Sequence, residues 1–407
     1  MLTDYIFTPF ALARHRSTPF GGYLDGFTEW LAERDYKTET IRVLIQNVTA
    51  LGLWLHDDVA PQALDEEVLD RYGLRLRRIG RLKHPSGRYF TFASGPRLFL
   101  KYLRAIAVAA PARVELSPLV VEFGEWQRVH RGAVPETVAY YGRHVQAMVD
   151  ALGDPRRMTT AAIRTYLLRT FDSRTRSYVT SVCVAIRGFL RFLIATGRCR
   201  VGLDAAVPVI ARWHLAELPR FVHRADVRRI VAAADSDNAH GLRDRAILTL
   251  VAEMGLRAGD IGAITFDDID LNARTLTVTG KNKVVTRLPM PASAVRAVCV
   301  YIKRGRPDVR RTAVFVGLAA PYVPVTPWMV FYIVQTAVRR SGVVAPHNGP
   351  HMLRHSFAVE ALRRGLPVDA IGALMRHRSL DATLKYAKVD ATRLQRLAVA
   401  WKEVAPC

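Results

Sequence analysis

Two histidines and an arginine fall within five residues in the stretch PHMLRHSFA, Pro350 to Ala358. Imidazole moves protons near neutral pH and binds metals, while a guanidinium fork holds phosphate or carboxylate oxygens in pairs. Two chemistries compete for this set. His351 and His355 lie at i and i+4, the spacing at which a helix presents two ligands to zinc. His351 and Arg354 lie at i and i+3, which points a proton-transfer group and a fixed cation at one anion. A zinc protease would also need a third ligand and a glutamate beside the first histidine, where Met352 stands. His347 is the nearest third donor, and no cysteine or carboxylate cluster supports it. The anion reading is the one to follow along the chain.

The elements that must position these groups can be read from periodicity. Pro350 suits a first helical turn and Gly365 a C-terminal cap. Leu353, Phe357, Ala361 and Leu362 form the stripe expected to be buried, with His351, Arg354, His355 and Ala358 on a neighbouring one. A second helix is expected from Pro367 to Arg376, anchored by Ile371, Leu374 and Met375, with His377 directly after it. Ser379 can cap a third helix carrying Tyr386, nine residues beyond His377. Upstream, HRADVRRIVAAAD and LRDRAILTLVAEMGLR have helical periodicity. TLTVT, Thr275 to Thr279, alternates strictly, and VVTRLPM follows a polar Gly-Lys-Asn-Lys turn, which predicts a hairpin. Thr326-Pro327 opens a helix that stops at Gly342.

The run HMLRHSFA…GLPVDAIGALMRHRSLDATLKYA resembles the active-site segment of the tyrosine recombinase (phage integrase) family: His-x-x-Arg, then Gly-His, then Tyr nine residues on. RDRAILTLVAEMGLRAGDI, from Arg243, is similar to that family's first arginine box, with Arg257 as its arginine and Asp260 at its acidic position. TVTGKNKVVTRLPM resembles the family's lysine hairpin and puts the lysine at Lys281, twenty-four residues after Arg257. The likeness covers roughly 219–389; less specifically, 116–204 resembles the helical core-binding domain. It implies a mainly α fold with a small β-sheet (α+β), in which helical SAM-like DNA-binding modules and a catalytic domain form a C-shaped clamp around DNA. Two departures stand out. Arg376 replaces the glycine before the histidine, adding a cation beside the phosphate or a side chain turned outward. The hairpin turn is one residue shorter than usual, so Lys283 rivals Lys281.

The chemistry needs these residue types. Breaking a phosphodiester through a covalent intermediate takes a nucleophile, neutralised phosphate charge and a proton for the leaving oxygen. Tyr386 is the candidate nucleophile, and a phenol of pKa about 10 must be activated. Arg257 and Arg354 would clamp the non-bridging oxygens, Lys281 would protonate the departing 5′ oxygen, His351 would shuttle the tyrosine proton and His377 would bind the phosphate. His355 is expected to supply a supporting hydrogen bond. No metal and no nucleotide cofactor is required. Each residue has a plainer alternative: Tyr386 a core aromatic, His377 a helix cap, Lys281 a turn lysine, Arg257 a surface arginine.

Charge shows where the partner would lie. The 407 residues carry a formal net charge of +23, mostly as arginine, which suits a polyphosphate. From Arg71 to Arg113 there are eleven Lys or Arg and no acid; from Arg156 to Arg200 there are ten arginines against Asp172. Arg71, Arg75, Arg77, Arg78, Arg81, Lys83, Arg156, Arg157, Arg174 and Arg176 are the candidate DNA contacts; a solvated face is the plainer reading. The two runs fall in segments that look alike. Phe27-x-Glu-Trp30 and Phe123-x-Glu-Trp126 each precede a Glu-Thr pair, and LFLKYLRAIA from Leu98 matches GFLRFLIATG from Gly188. A duplicated helical module is expected. Tyr72, Tyr89, Tyr140 and Tyr178 are expected either to touch the DNA backbone or to pack in the cores.

The domain reading is 1–112 as an extra N-terminal module, 113–205 as core-binding domain, 206–219 as linker and 220–407 as catalytic domain. In the last, the tail's Leu394, Leu397, Ala398 and Trp401 form a stripe suited to docking on a neighbouring subunit. Four scattered cysteines imply reduced thiols. No apolar run is read as membrane-spanning and no signal peptide is expected, so the protein is placed in the bacterial cytoplasm at the nucleoid. The expected partner is double-stranded DNA with paired recombination sites, held by a homotetramer with or without companion recombinases. The alternatives are a type IB topoisomerase-like relaxing enzyme and a catalytically silent, architectural DNA-binding protein.

Overall fold

A computed structural model of the chain describes residues 1–55, 59–79, 91–110, 116–210, 219–234, 237–280, 284–377 and 381–387. Backbone contacts divide the chain into two units, Ala110–His214 and a second made of Met1–Ala109 with Leu215–Cys407. Apolar side chains gather more locally. One core uses only residues between Leu2 and Ala109, another only residues between Val120 and Val207, and two more lie between Val222 and Tyr386. Leu203, Ala206 and Val207, near the start of the expected linker, belong to the second core.

The first stretch is helical: α1 (Pro9–Arg16), α2 (Leu24–Ala32), α3 (Thr38–Leu55), α4 (Glu66–Arg78) and α5 (Thr91–Ala105). Asp65 starts α4 by accepting the Val68 N–H at 2.9 Å, satisfying one of the donors a helix start leaves open. The second has α6 (Pro118–Arg131), α7 (Pro135–Leu152), α8 (Thr160–Phe171) and α9 (Arg176–Ala195). Gly132 stops α6 at φ 58°, where a side chain would be strained.

One aromatic motif organises both cores. Phe27 meets Phe99 edge-on at 5.1 Å and 82°; Phe123 meets Phe189 at 5.4 Å and 77°. Phe27 stacks near Trp30 at 6.1 Å and Phe123 near Trp126 at 6.5 Å. Tyr102 lies 5.6 Å from Phe27 and 6.0 Å from Trp30; Phe192 lies 5.8 Å from Phe123 and 6.0 Å from Trp126. These are the rings of the two similar segments. Tyr72 is buried against Trp54, so its role is packing.

Helix α9 corrects one expectation, because its twenty residues are long and apolar enough to cross a membrane. Its apolar side, including Ile186, Phe189, Leu190 and Leu193, is instead the centre of the second core.

The remaining stretch is built on α11 (Ala239–Met254), which is apolar on nearly every side and therefore central. Around it lie α10 (Arg224–Ala232), α12 (Ala258–Ala263), α13 (Ala292–Val300), α14 (Pro327–Ser341), α15 (Pro350–Arg363), α16 (Val368–Leu374) and α17 (Asp381–Ala387). The hairpin is present as β2 (Thr275–Thr279) and β3 (Val285–Pro289), paired from Thr275↔Pro289 to Thr279↔Val285. A two-residue β1 (Ile269–Asp270) extends it to an antiparallel sheet in the order β1-β2-β3. The fold is mainly α with one small sheet. Helix α16 ends at Leu374, before the expected Arg376, because Arg376 has a left-handed φ of 52°. The tail stripe from Leu394 lies outside the described residues.

Because each ring set serves its own core, Phe99→Ala and Phe189→Ala should each cost about 3–5 kcal/mol. Hydrogen exchange read by mass spectrometry should show lost protection in α2, α3 and α5 for the first and in α6, α7 and α9 for the second. Equal loosening of both stretches by either variant would contradict the separation of the cores.

Candidate active site

A glycine delivers the first arginine. Helix α11 stops at Gly255, φ 61°, where a Cβ would come within 2.7 Å of the Phe357 ring. The reversal places Arg257 just before α12, where its N–H donates to Asp260 at 2.8 Å. Its guanidinium Nη2 donates to the Arg376 carbonyl at 2.7 Å, joining this turn to the one after α16.

Arg354 makes a second joint between the same places. It projects from α15, is 4% exposed, and donates Nη1 to the Gly255 carbonyl and Nη2 to that of Met375. Burial, with the charge of Arg257 added, lowers its pKa to about 10, so it stays a cation at neutral pH. Arg376 is turned inward, contrary to the outward alternative, and forms an ion pair with Asp260. Asp260 thus holds Arg257 by its backbone and Arg376 by its side chain.

Tyr386, on α17, is 1% exposed, and its hydroxyl is 2.7 Å from His355 Nδ1. Burial raises the phenol to about 12, with Arg354 pulling the other way, and lowers His355 to about 3, with Lys385 as the foremost cation. The proton therefore resides on oxygen, so the hydroxyl donates and Nδ1 accepts. His377 packs on the other side, its ring 6.2 Å from that of Tyr386 and nearly parallel at 13°. Its Nδ1 is 2.6 Å from Thr383 Oγ1, and burial lowers its pKa to about 4, with Arg354 next in importance. The His351 ring is 6.3 Å from that of His355. His351 is exposed along its edge yet packed against enough protein that desolvation, then Arg354, lowers its pKa.

Arg257, Asp260, Arg354, His355, His377 and Tyr386 therefore come together, with His351 at the margin. The structure assigns the contact to the phenol to His355, where the sequence reading gave the proton shuttle to His351. Lys281 and Lys283 lie outside the described residues; Gly280 N–H donates to the Val284 carbonyl across them at 2.8 Å. Sequence reasoning missed Lys385, whose ammonium is 5.2 Å from the centre of the Tyr386 ring and half-buried. It stands directly before the candidate nucleophile, the one signal that could have drawn notice. Burial and Arg354 lower its pKa, and among the described residues no carboxylate pairs with Lys385 or Arg354. Two imidazoles, with Lys385 and Arg354, lie about the phenol with no carboxylate paired to either cation among the described residues, which suits an anion.

The DNA-contact candidates are distributed as follows. Arg71, Arg75, Arg77 and Arg78 are exposed on α4, Arg156 and Arg157 in the turn before α8, and Arg174 and Arg176 at the start of α9. Arg81, Lys83 and Tyr89 lie outside the described residues. Tyr140 and Tyr178 flank His144 with rings 4.8 and 5.4 Å away. Among the described residues no three His, Cys, Asp or Glu side chains gather as metal ligands.

Known proteins resemble this chain over nearly its whole length. The model of the phage integrase family matches residues 220–393. Over 410 residues the chain is 30% identical to y4rA of Sinorhizobium fredii, which carries the name integrase/recombinase, covering 98% of both proteins. It is 32% identical over 223 residues to the tyrosine recombinase XerD of Mycobacterium tuberculosis, covering 53% of this chain and 70% of XerD. The crystal structure of the XerH site-specific recombinase bound to palindromic difH superposes with a TM-score of 0.57 at 15% identity. That match covers 70% of this chain and 85% of XerH.

The partly buried imidazoles of His355 and His377 give stability a pH dependence of definite sign. Unfolded, His355 and His377 bind protons near pH 6.5; folded, they stay neutral down to about 3 and about 4. Between those limits the unfolded chain holds more protons, so stability is full above pH 6.5 and declines as pH falls towards 4. Calorimetry should show the melting temperature dropping from pH 7.5 to 5, with a shallower drop in His355→Asn. A flat profile in the wild type would contradict the burial of these rings.

Proposed function

The chain belongs to the phage integrase family of tyrosine recombinases, DNA strand-exchange enzymes, and on that premise we propose that it cuts and rejoins DNA site-specifically through a 3′-phosphotyrosyl intermediate on Tyr386. The supporting observation is that Tyr386 donates to His355, stacks near His377 and is reached by the charge of Arg354, while Arg257 and Arg354 tie together the same two turns. Recombination sites presented as a pair, a homotetramer with or without companion recombinases, and a mobile element as the substrate complete the proposal. Such a reaction takes place where the chromosome is, in the bacterial cytoplasm.

The chemistry follows from the contacts. As the Tyr386 oxygen attacks the scissile phosphorus, its proton passes to His355 Nδ1, already 2.7 Å away. The bond to the 5′ oxygen breaks, and that oxygen takes a proton, for which Lys281, with Lys283 as rival, is the proposed donor. Religation reverses both transfers, and the tyrosyl ester conserves the bond energy, so the reaction needs no nucleotide. Arg257 and Arg354 carry five N–H donors each. Those not held by backbone carbonyls face the task of neutralising the pentavalent phosphorus, where preorganised donors are worth most. His377, neutral and braced by Thr383, contributes a hydrogen bond to a phosphate oxygen, and His351 links His355 to solvent.

A nicked duplex built from the inverted repeats bordering the gene should trap a covalent adduct with the wild type and none with Tyr386→Phe. Absence of an adduct in both would sink the enzymatic reading and favour a DNA-binding protein. Relaxation of a plasmid lacking paired sites would favour a topoisomerase. Arg257→Gln and Arg354→Gln should each slow adduct formation by about 10²–10³-fold.

His355→Asn separates proton transfer from positioning, because the amide oxygen can accept the same hydrogen bond but is not a base. Adduct formation should slow by about 10²-fold or more with DNA affinity unchanged. A wild-type rate would return the shuttle to His351.

A further inference from the structure

Residues 1–109 repeat the second helical module in more than their rings. In α4 and the turn before it, Pro61, Leu64, Asp65, Leu69, Tyr72 and Arg75 stand where Pro155, Met158, Thr159, Ile163, Tyr166 and Arg169 stand around α8, each pair 94 residues apart. Both prolines open a short 3-10 turn. Leu64 and Met158 are buried, and Asp65 and Thr159 cap the helix by accepting N–H bonds from Val68 and Ala162. The modules also end alike. After α5, Ala107 takes φ 57° and the Val108 N–H donates to the Leu103 carbonyl at 2.8 Å. After α9, Gly197 takes φ 67° and the Arg198 N–H donates to the Leu193 carbonyl at 2.8 Å. An alanine in the left-handed region shows the turn to be kept although its residue has changed.

The later turns of α4 in the first copy carry a run of arginines. Arg104 is satisfied by Glu66 through two contacts of 2.6 and 2.7 Å. Arg71, Arg75, Arg77 and Arg78 are exposed and, among the described residues, form no ion pair. Arg71, Arg75 and Arg78 follow at i, i+4 and i+7, along one helix face, over about 10 Å at the usual rise of ~1.5 Å per residue. Like charges at that spacing repel, and among the described residues no carboxylate pairs with the stripe, whose Arg75 also lies 5.9 Å over the Trp54 ring. Arg75 and Arg169 occupy equivalent exposed positions, so this part of the charge is common to both copies.

We infer that residues 1–109 are a second copy of the core-binding module, and that its α4 arginine stripe grips the phosphate backbone of duplex DNA. Each protomer then holds DNA through two equivalent helical modules as well as its catalytic domain. The inference rests on the reading of the chain as a DNA strand transferase, but it concerns binding and not cleavage.

The test is the salt dependence of binding by the full-length protein to a random-sequence 60-base-pair duplex. Each phosphate contact adds about 0.9 to the slope of log K against log salt. The variant carrying Arg71→Gln, Arg75→Gln, Arg77→Gln and Arg78→Gln should lose roughly 2–4 from that slope, with circular dichroism and melting unchanged. A parallel variant, with Arg156→Gln, Arg157→Gln, Arg169→Gln and Arg174→Gln, should lose a similar amount. A wild-type slope in the first variant with a reduced slope in the second would overturn the inference and leave the strand-transfer reading intact. Wild-type slopes in both would overturn it too, and the Tyr386→Phe trapping result would still decide the enzymatic reading separately.

Discussion

The guanidinium of Arg354 is the joint on which the candidate site depends. A cation almost out of solvent is costly to bury unless its hydrogen bonds are met. Here two backbone carbonyls, Gly255 at the end of α11 and Met375 just past α16, supply them. The same two turns are joined again by Arg257 reaching the Arg376 carbonyl, and a third time by Arg376 reaching Asp260. Losing Arg354 would therefore free two turns to drift apart, besides removing the cation proposed to bind the phosphate. Left-handed Gly255 belongs to the same joint, since its missing side chain admits the Phe357 ring of the helix that carries Arg354.

The imidazoles answer a different electrostatic demand. Histidines near several fixed cations and screened from water lose their protons, and all three here are shifted in that direction. A neutral ring can accept a proton, whereas a charged one cannot. Burial first, and then the cations around Tyr386, therefore keep His355 neutral, with Nδ1 free to accept a hydrogen bond from the phenol. Thr383 adds a mechanical element, holding one ring nitrogen of His377 and so orienting the ring along the tyrosine.

Much of this was legible in the order of residues. The hairpin at 275–289, the glycine stop at Gly342, and the grouping of Arg257, Arg354, His377 and Tyr386 followed from spacing and resemblance. The repeat of Phe27 and Trp30 at Phe123 and Trp126 became a repeated set of ring contacts. What spacing could not decide was the choice between His351 and His355. Both lie on one side of α15, and only the landing place of α17 selects the second. Arg376 was ambiguous for a similar reason, because its inward turn depends on Asp260, 116 residues earlier. Arg354 was read on a stripe beside the core, and the packing of two turns over it placed it inside.

The enclosure of Tyr386 has a consequence for how such a protein behaves between encounters. A hydroxyl that is 1% exposed and hydrogen-bonded to its own histidine is screened from free water and small solutes. On the chemistry proposed above, the same contact that screens the oxygen is the one that would take its proton, so the oxygen stays protonated until a phosphate is brought against it.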